Sequence, residues 1–273
     1  MLKKLMLFVF LVLFSFSSQT FAANQKNDFK GVLSQLIPPT IKYDVKVLKK
    51  SVLKGYTQLD IIIKDEKMGM KIHRYIWISK DKKSVIPTIL TKNAIGRFQR
   101  LMPKNYMEHF PINLSWFFDI IKQLPKEMKL SYGKGKTVYM LSDPYCPFCK
   151  RELGKLKALA AQGKIKLYII PFDVHGPKAE KASLVFLNIE KNKGLLAAIN
   201  QVEGASFQDV DKIVKNSKKS IDALNKKYSK YLKNIVQTAM KNGVRGTPAM
   251  IIPTKGNKGY LIVGLSDITP YLK

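Results

Sequence analysis

The sequence predicts a mixed α+β/α/β protein in two parts. A small antiparallel sheet comes first; after a linker helix, an α/β domain with a helical insertion follows. Three observations predict this. The first half alternates apolar and polar residues in several short runs, the pattern of half-buried antiparallel strands. The second half opens on a continuous apolar run, Thr137-Val138-Tyr139-Met140-Leu141, which suits a strand buried on both faces. A helix and a second apolar strand, Lys164 to Phe172, come next and complete a strand–helix–strand unit.

The 273-residue chain starts with a basic Met1-Leu2-Lys3-Lys4, an almost unbroken apolar run from Leu5 to Phe16, and small residues around Thr20-Phe21-Ala22. This is the form of a secretory signal over residues 1–22, cleaved after Ala22 or Ala23. The apolar run is short for a membrane span. It also lacks a cysteine for lipid attachment. Export to the periplasm is the expectation. A mature chain of about 250 residues can bury a core without disulfide help. The formal net charge is +29, and loss of Lys3 and Lys4 leaves about +27. Such charge attracts anionic surfaces. The lysines, however, are scattered, greatly outnumber arginine and form no Arg–aromatic cluster of a nucleic-acid reader. They read as a solvated basic surface with weak membrane-surface attraction and no nucleic-acid partner.

Residues 24–112 form the first domain. Its strands are Tyr43 to Leu48, Leu59 to Ile63 and Ile72 to Ile78; a polar turn at Lys80-Asp81-Lys82-Lys83 leads to a fourth, Ser84 to Leu90. His73 and His109 lie here outside any ligand-spaced cluster and read as ordinary, partly exposed residues. Asn113-Leu114-Ser115 can cap a helix in which Trp116, Phe117, Ile120, Ile121 and Leu124 recur at helical spacing until Pro125. Residues 113–136 are therefore a linker helix with a flexible joint around Gly133 and Gly135. Residues 137–273 form the second domain. After the strand–helix–strand unit, Ala179 to Gly243 is helical with breaks near Gly194 and Gly204. Strands follow at Ala249 to Ile252 and Gly259 to Gly264, then a short helix over Asp267 to Leu272.

Cys146-Pro147-Phe148-Cys149 holds the chain's only two cysteines. As a staple the pair would contribute little, roughly 2 kcal/mol for so short a loop. Placed on a first helical turn, the spacing suits chemistry. Cys146 at the N-cap feels the positive end of the helix dipole, which favours its thiolate, and Lys150 and Arg151 add positive charge. Pro147 sits at the first helical position, where a missing N–H costs nothing. Cys149, one turn in, is expected to be more buried and harder to ionise. The roles follow: Cys146 attacks or is attacked, and Cys149 resolves the mixed disulfide. A zinc site needs two more ligands, and the isolated histidines supply none. The second signal is Gly246-Thr247-Pro248-Ala249, between a long helix and a strand pair. That order is the order of the thioredoxin fold, in which a cis-proline loop faces the active-site disulfide.

At these residues the resemblance becomes specific. Ser142-Asp143-Pro144-Tyr145-Cys146-Pro147-Phe148-Cys149, taken with Gly246-Thr247-Pro248-Ala249, resembles the periplasmic disulfide isomerase family of DsbC and DsbG from about Lys136 to Lys273. The first domain resembles theirs more loosely and is longer. The resemblance implies a thioredoxin-like catalytic domain and a homodimer joined through the N-terminal domains. It also implies Cys146 and Cys149 as the redox-active disulfide, with Cys146 the nucleophile. Thr247 and a cis Pro248 would hold the substrate peptide by backbone contacts. No cofactor or metal is implied.

Two positions bear on direction. Oxidases of the DsbA type carry His where this chain has Phe148, and Val where it has Thr247. Both differences favour an isomerase or reductase acting on misoxidised exported proteins, recharged by a membrane reductant of the DsbD type. A dimeric oxidase, served by a DsbB-type partner, and a holdase chaperone remain the alternatives. Cytosolic thioredoxins have a buried Asp where this chain has Met140, so no carboxylate base for Cys149 is evident. His175, after the second strand, could approach the site but reads as a loop or helix-start residue.

Overall fold

The computed structural model describes residues 29–92, 97–103 and 106–273. The signal-peptide assignment, residues 1–22, lies outside them. The chain forms two compact units: one runs to Asp65 and resumes at Met70–Glu108, and the other comprises Glu66–Gly69 with His109–Lys273.

In the first unit a short helix, Lys30–Leu36 (α1), precedes strands Tyr43–Val47 (β1), Tyr56–Asp65 (β2), Met70–Ser79 (β3) and Val85–Ile86 (β4), paired antiparallel in that order. Period-two alternation decides which face is apolar. Leu59 and Ile61 of β2 with Ile78 of β3 pack against Phe29 and Leu33. The opposite face carries polar groups: Asp60 Oδ2 lies 2.9 Å from His73 Nδ1, so His73 is half of a largely buried pair. The expected strand over Ser84 to Leu90 is broken. Val85–Ile86 pairs with β3, whereas Leu90–Lys92 (β5) pairs with Phe98–Arg100 (β6) in a separate two-stranded ribbon. Pro87, between the two segments, has no N–H to give a ladder. Met107–His109 (β7) also pairs with β3.

The second unit is built on a six-stranded sheet. Its order is Ile112–Asn113 (β8), Lys258–Val263 (β13), Ala249–Pro253 (β12), Lys136–Ser142 (β10), Ile165–Pro171 (β11) and Tyr132–Gly133 (β9). Only β10 and β11 run parallel, with Met140 opposite Ile169; the other pairs are antiparallel. The parallel pair is joined by helix Pro147–Ala161 (α3), which buries Leu153, Leu156 and Ala160. As a central strand, β10 has Val138, Met140 and Leu141 fully enclosed.

The segment 113–136, read from sequence as a linker helix and joint, is built into this unit. Helix Ser115–Gln123 (α2) has Leu114 as its N-cap, and Asn113 just before it accepts the Ser115 N–H through Oδ1 at 2.8 Å. Leu114, Phe117, Ile120 and Leu124 enter the main core, and the Phe117 ring meets that of Tyr139 edge-on at 5.1 Å. The glycines serve close approach. At Gly133, with φ +84°, an added Cβ would stand 2.6 Å from the carbonyl oxygens of Ala160 and Ile165, so only glycine lets β9 join β11.

Between β11 and β12 lies the helical insertion: Pro177–Lys193 (α4), Leu195–Ala198 (α5), a π-helical turn over Ile199–Glu203, Phe207–Asn216 (α6) and Lys218–Lys241 (α7). The breaks at Gly194 and Gly204 coincide with changes of helix, and a third break falls at Ser217. The final helix expected over Asp267 to Leu272 is a single 3₁₀ turn, Thr269–Tyr271, capped by Asp267 Oδ1 on the Thr269 N–H.

Candidate active site

The two cysteines lie beyond the carboxyl end of β10, where the sheet order places the ends of β11 and the start of β12 alongside, the usual position for a site in an α/β sheet. Cys146 is the N-cap of α3 with extended backbone (φ −87°, ψ 117°), and Pro147 occupies the first helical turn. The Cys146 sulfur accepts the Cys149 N–H at 3.4 Å, satisfying one of the donors a helix start leaves open. Its thiol donates to the Thr247 carbonyl at 3.4 Å. The Thr247–Pro248 peptide is cis, and both cysteines are free thiols. All four residues singled out in the sequence therefore meet at one place.

Both thiols are buried, Cys146 with 3% of its surface exposed and Cys149 with none, but their surroundings differ. Cys149 is enclosed, and burial drives its pKa far above the ordinary thiol range. The Asp143 backbone and the Thr247 side chain favour its charged form and pull the other way, without overcoming that penalty. Phe148, between the cysteines, is 55% exposed and projects beside the reactive pair.

The turn before Cys146 is fixed by Asp143, which is completely buried. Its Oδ1 accepts the Tyr145 N–H at 2.8 Å. Its Oδ2 accepts the His175 backbone N–H at 2.9 Å and pairs with His175 Nδ1 at 2.9 Å. His175 is thus the clamp between this turn and the loop after β11. Tyr145 is held from outside: its hydroxyl donates to Asp211 of α6 at 2.6 Å, its ring stacks on Phe207, and Lys178 lies over the ring at 4.4 Å.

One residue that the sequence did not single out lies buried at the end of β10. Glu203, the last residue of the π turn, is buried; its Oε2 accepts the Ser142 hydroxyl at 2.7 Å. Lys150, directly after Cys149, donates to the Glu203 carbonyl at 3.0 Å. Burial raises the Glu203 carboxyl to about 7, with Ser142 and Lys150 opposing. Burial also lowers Lys150. Asp173, bonded to Ser183 Oγ at 2.5 Å, is raised by burial to about 8. A buried carboxylate therefore does stand at the end of β10, bonded to Ser142, although Met140 occupies the strand position where one was sought. It comes from the insertion, about fifty residues downstream, where sequence spacing gives no warning. The signal available was an acid at the end of an apolar run beside a Gly break, Ile199-Asn200-Gln201-Val202-Glu203-Gly204. Among the described residues, no three His, Cys, Asp or Glu side chains are grouped to hold a metal.

The thioredoxin-like domain family matches residues 124–272. No curated protein matches the sequence significantly. Solved structures are similar to the chain at low identity. The catalytic domain of Proteus mirabilis ScsC is 22% identical, with 58% of this chain and 92% of that one covered and a TM-score of 0.46. The thiol–disulfide exchange protein alpha-DsbA2 of Wolbachia pipientis is 24% identical over 58% of this chain and 89% of its own, with a TM-score of 0.43. A periplasmic thioredoxin-like protein of Salmonella enterica serovar Typhimurium is 19% identical over 53% and 86%, with a TM-score of 0.40. The match takes in more than half of the chain, and the paired thiols face a cis-proline loop: the chain belongs to the thioredoxin-like domain family and is a thiol–disulfide oxidoreductase.

Proposed function

We infer that the protein is exported to the periplasm and isomerises or reduces wrong disulfides in other exported proteins. The observation that carries this reading is the asymmetry of the thiol pair. Cys146 caps a helix and touches the Thr247 carbonyl, while Cys149 is enclosed and kept protonated by burial. Cys146 as thiolate attacks one sulfur of a substrate disulfide. A bond forms between Cys146 and that sulfur, and the other substrate sulfur leaves as a thiolate. In isomerisation a substrate thiol then displaces Cys146. In reduction Cys149 displaces the bound substrate thiol and closes the Cys146–Cys149 disulfide.

Phe148 and Thr247 support this direction over oxidation. Phe148 offers no charge to hold a thiolate, and the Thr247 side chain favours the charged form of Cys149, the sulfur needed for release. The first unit, with exposed apolar residues such as Leu90 and Phe98, is assigned to dimerisation. A DsbD-type membrane reductant is assigned to keep the pair reduced. The test is the redox state of Cys146 and Cys149 in the periplasm, by acid quench and thiol alkylation. A mostly reduced pair is expected; a mostly oxidised pair overturns the direction and makes the protein an oxidase.

A further inference from the structure

The thiol pair is flanked by an unusual choice of cation. The chain has five arginines among its 48 lysines and arginines, and only Arg151 and Arg245 belong to the second unit. Both lie within two residues of the site. Arg151 follows Cys149 by two positions on α3, and Arg245 precedes Thr247 by two positions in the loop whose carbonyl meets Cys146. Arg151 shares a helix face with Phe148, three residues earlier, and both are exposed. Arg245 is also exposed. It is mounted between Val244, whose N–H is held by the Ala239 carbonyl at 3.0 Å, and Pro248, whose carbonyl accepts the Gly264 N–H at 2.8 Å. One cation thus stands on the helix side of the thiols and one on the loop side.

The other charges at this end of the sheet are engaged within the chain. Asp143 pairs with His175, Glu203 accepts from Ser142, Glu152 pairs with Lys155, and Asp211 holds both Tyr145 and Lys178. Lys150 donates to the Glu203 carbonyl. Among the described residues, neither Arg151 nor Arg245 has a hydrogen bond or ion pair for its guanidinium. A guanidinium offers two parallel N–H donors that match a carboxylate, whereas lysine is a point charge. In a chain that draws nearly all its positive charge from lysine, the two arginines of this unit stand where a client must dock.

We propose that Arg151 and Arg245 are specificity-determining residues that select client segments carrying an acidic side chain beside the cysteine. This rests on the exchange reaction proposed above and names its substrate class. The client lies along the Thr247–Pro248 loop with its disulfide at Cys146. Carboxylates next to its cysteine meet Arg245 on the loop or Arg151 beside Phe148, and lysines there are repelled. No bond forms or breaks at either arginine; they act on capture, before sulfur is attacked. Contacts between exposed charges are individually weak and screened by salt, so the selection is a graded, salt-sensitive preference.

The test uses the reduced full-length protein and two short peptides, identical except that their single cysteine is flanked by Asp in one and by Lys in the other. Each cysteine is held as a mixed disulfide with a nitrobenzoate thiol, whose coloured release reports attack by Cys146. An uncharged dipyridyl disulfide gives the intrinsic reactivity of each variant, by which its peptide rates are divided, and certifies that the variant is folded. In the wild type at low salt the Asp peptide should react about 5- to 10-fold faster than the Lys peptide, and ~0.5 M salt should bring the ratio towards unity. Arg151→Gln with Arg245→Gln should lower the low-salt ratio to about 2 or less. Lys134→Gln with Lys164→Gln removes the same charge at the amino ends of β10 and β11, opposite the thiols, and should keep the wild-type ratio. Equal rates for the two peptides in the wild type, or an equal fall of the ratio in the lysine variant, overturns the proposal. Suppression of the Asp-peptide rate by phosphatidylglycerol vesicles, acting through the same two arginines, assigns the cations to a lipid surface and also overturns it. Absence of Cys146-dependent release from all three disulfides overturns the exchange reading itself.

Discussion

Replacing Glu190 by Gln should shift the stability difference progressively in the variant's favour as pH rises from about 4.5 to 8. Glu190 sits on α4 and is wholly enclosed. The Leu130 backbone N–H is near enough to favour its charged form, but neither carboxylate oxygen has a well-formed hydrogen bond. Burial therefore raises it from 4.5 to about 8. A folded-state value above the unfolded one means that the folded protein holds a proton the unfolded chain has released. The stabilisation is complete below about pH 4.5 and is lost as pH climbs towards 8. Each pH unit is worth about 1.4 kcal/mol, so roughly 3 kcal/mol is gone at pH 7. Glutamine has the shape of the protonated acid and does not titrate. Its buried amide carries a fixed cost of ~1–3 kcal/mol, independent of pH. The slope is therefore the diagnostic quantity. Urea unfolding of both proteins, reduced, across this range gives the variant-minus-wild-type stability. Contributions of Asp173 and Glu203 appear in both proteins and cancel. A difference that stays flat between pH 5 and pH 8 refutes the reasoning.

Other perturbations act nearer the chemistry. Cys149→Ser should accumulate a stable Cys146–substrate mixed disulfide, visible on non-reducing gels, whereas Cys146→Ser should accumulate none. Thr247→Val deletes a side-chain group that favours the Cys149 thiolate, and should slow closure of the Cys146–Cys149 disulfide by about 10-fold while sparing the attack by Cys146, read as the second and first thiolate releases from an aromatic disulfide. Gly133→Ala forces a Cβ against two backbone carbonyls in a left-handed conformation and should destabilise by ~2 kcal/mol or more, read as a fall in the urea midpoint.

The site was legible because its chemistry is local in sequence. A CxxC on a first helical turn and a Thr-Pro before a strand are short patterns whose geometry follows from helix capping and strand order. The strands around them were legible through apolar runs such as Thr137 to Leu141. Four things were hidden for physical reasons. Glu203 reaches Ser142 and Lys150 through tertiary packing of the insertion, and nothing in the sequence spacing records those contacts. His175 and Asp143 are likewise joined only when the ends of β10 and β11 lie side by side. Gly133 and Gly135 read as a joint, because glycine signals freedom and close approach with the same residue. The structure uses them for close approach. In the first unit, Pro87 split an apolar run that otherwise reads as one strand.

The central claim is that Cys146 attacks wrong disulfides, and refolding of a client with scrambled disulfides tests it most directly. The client is held in a fixed glutathione buffer with substoichiometric reduced protein, and the regain of its native activity is followed. The account predicts faster recovery with the wild type and no acceleration with Cys146→Ser. Recovery unaffected by the wild type, or equally fast with Cys146→Ser, would contradict it.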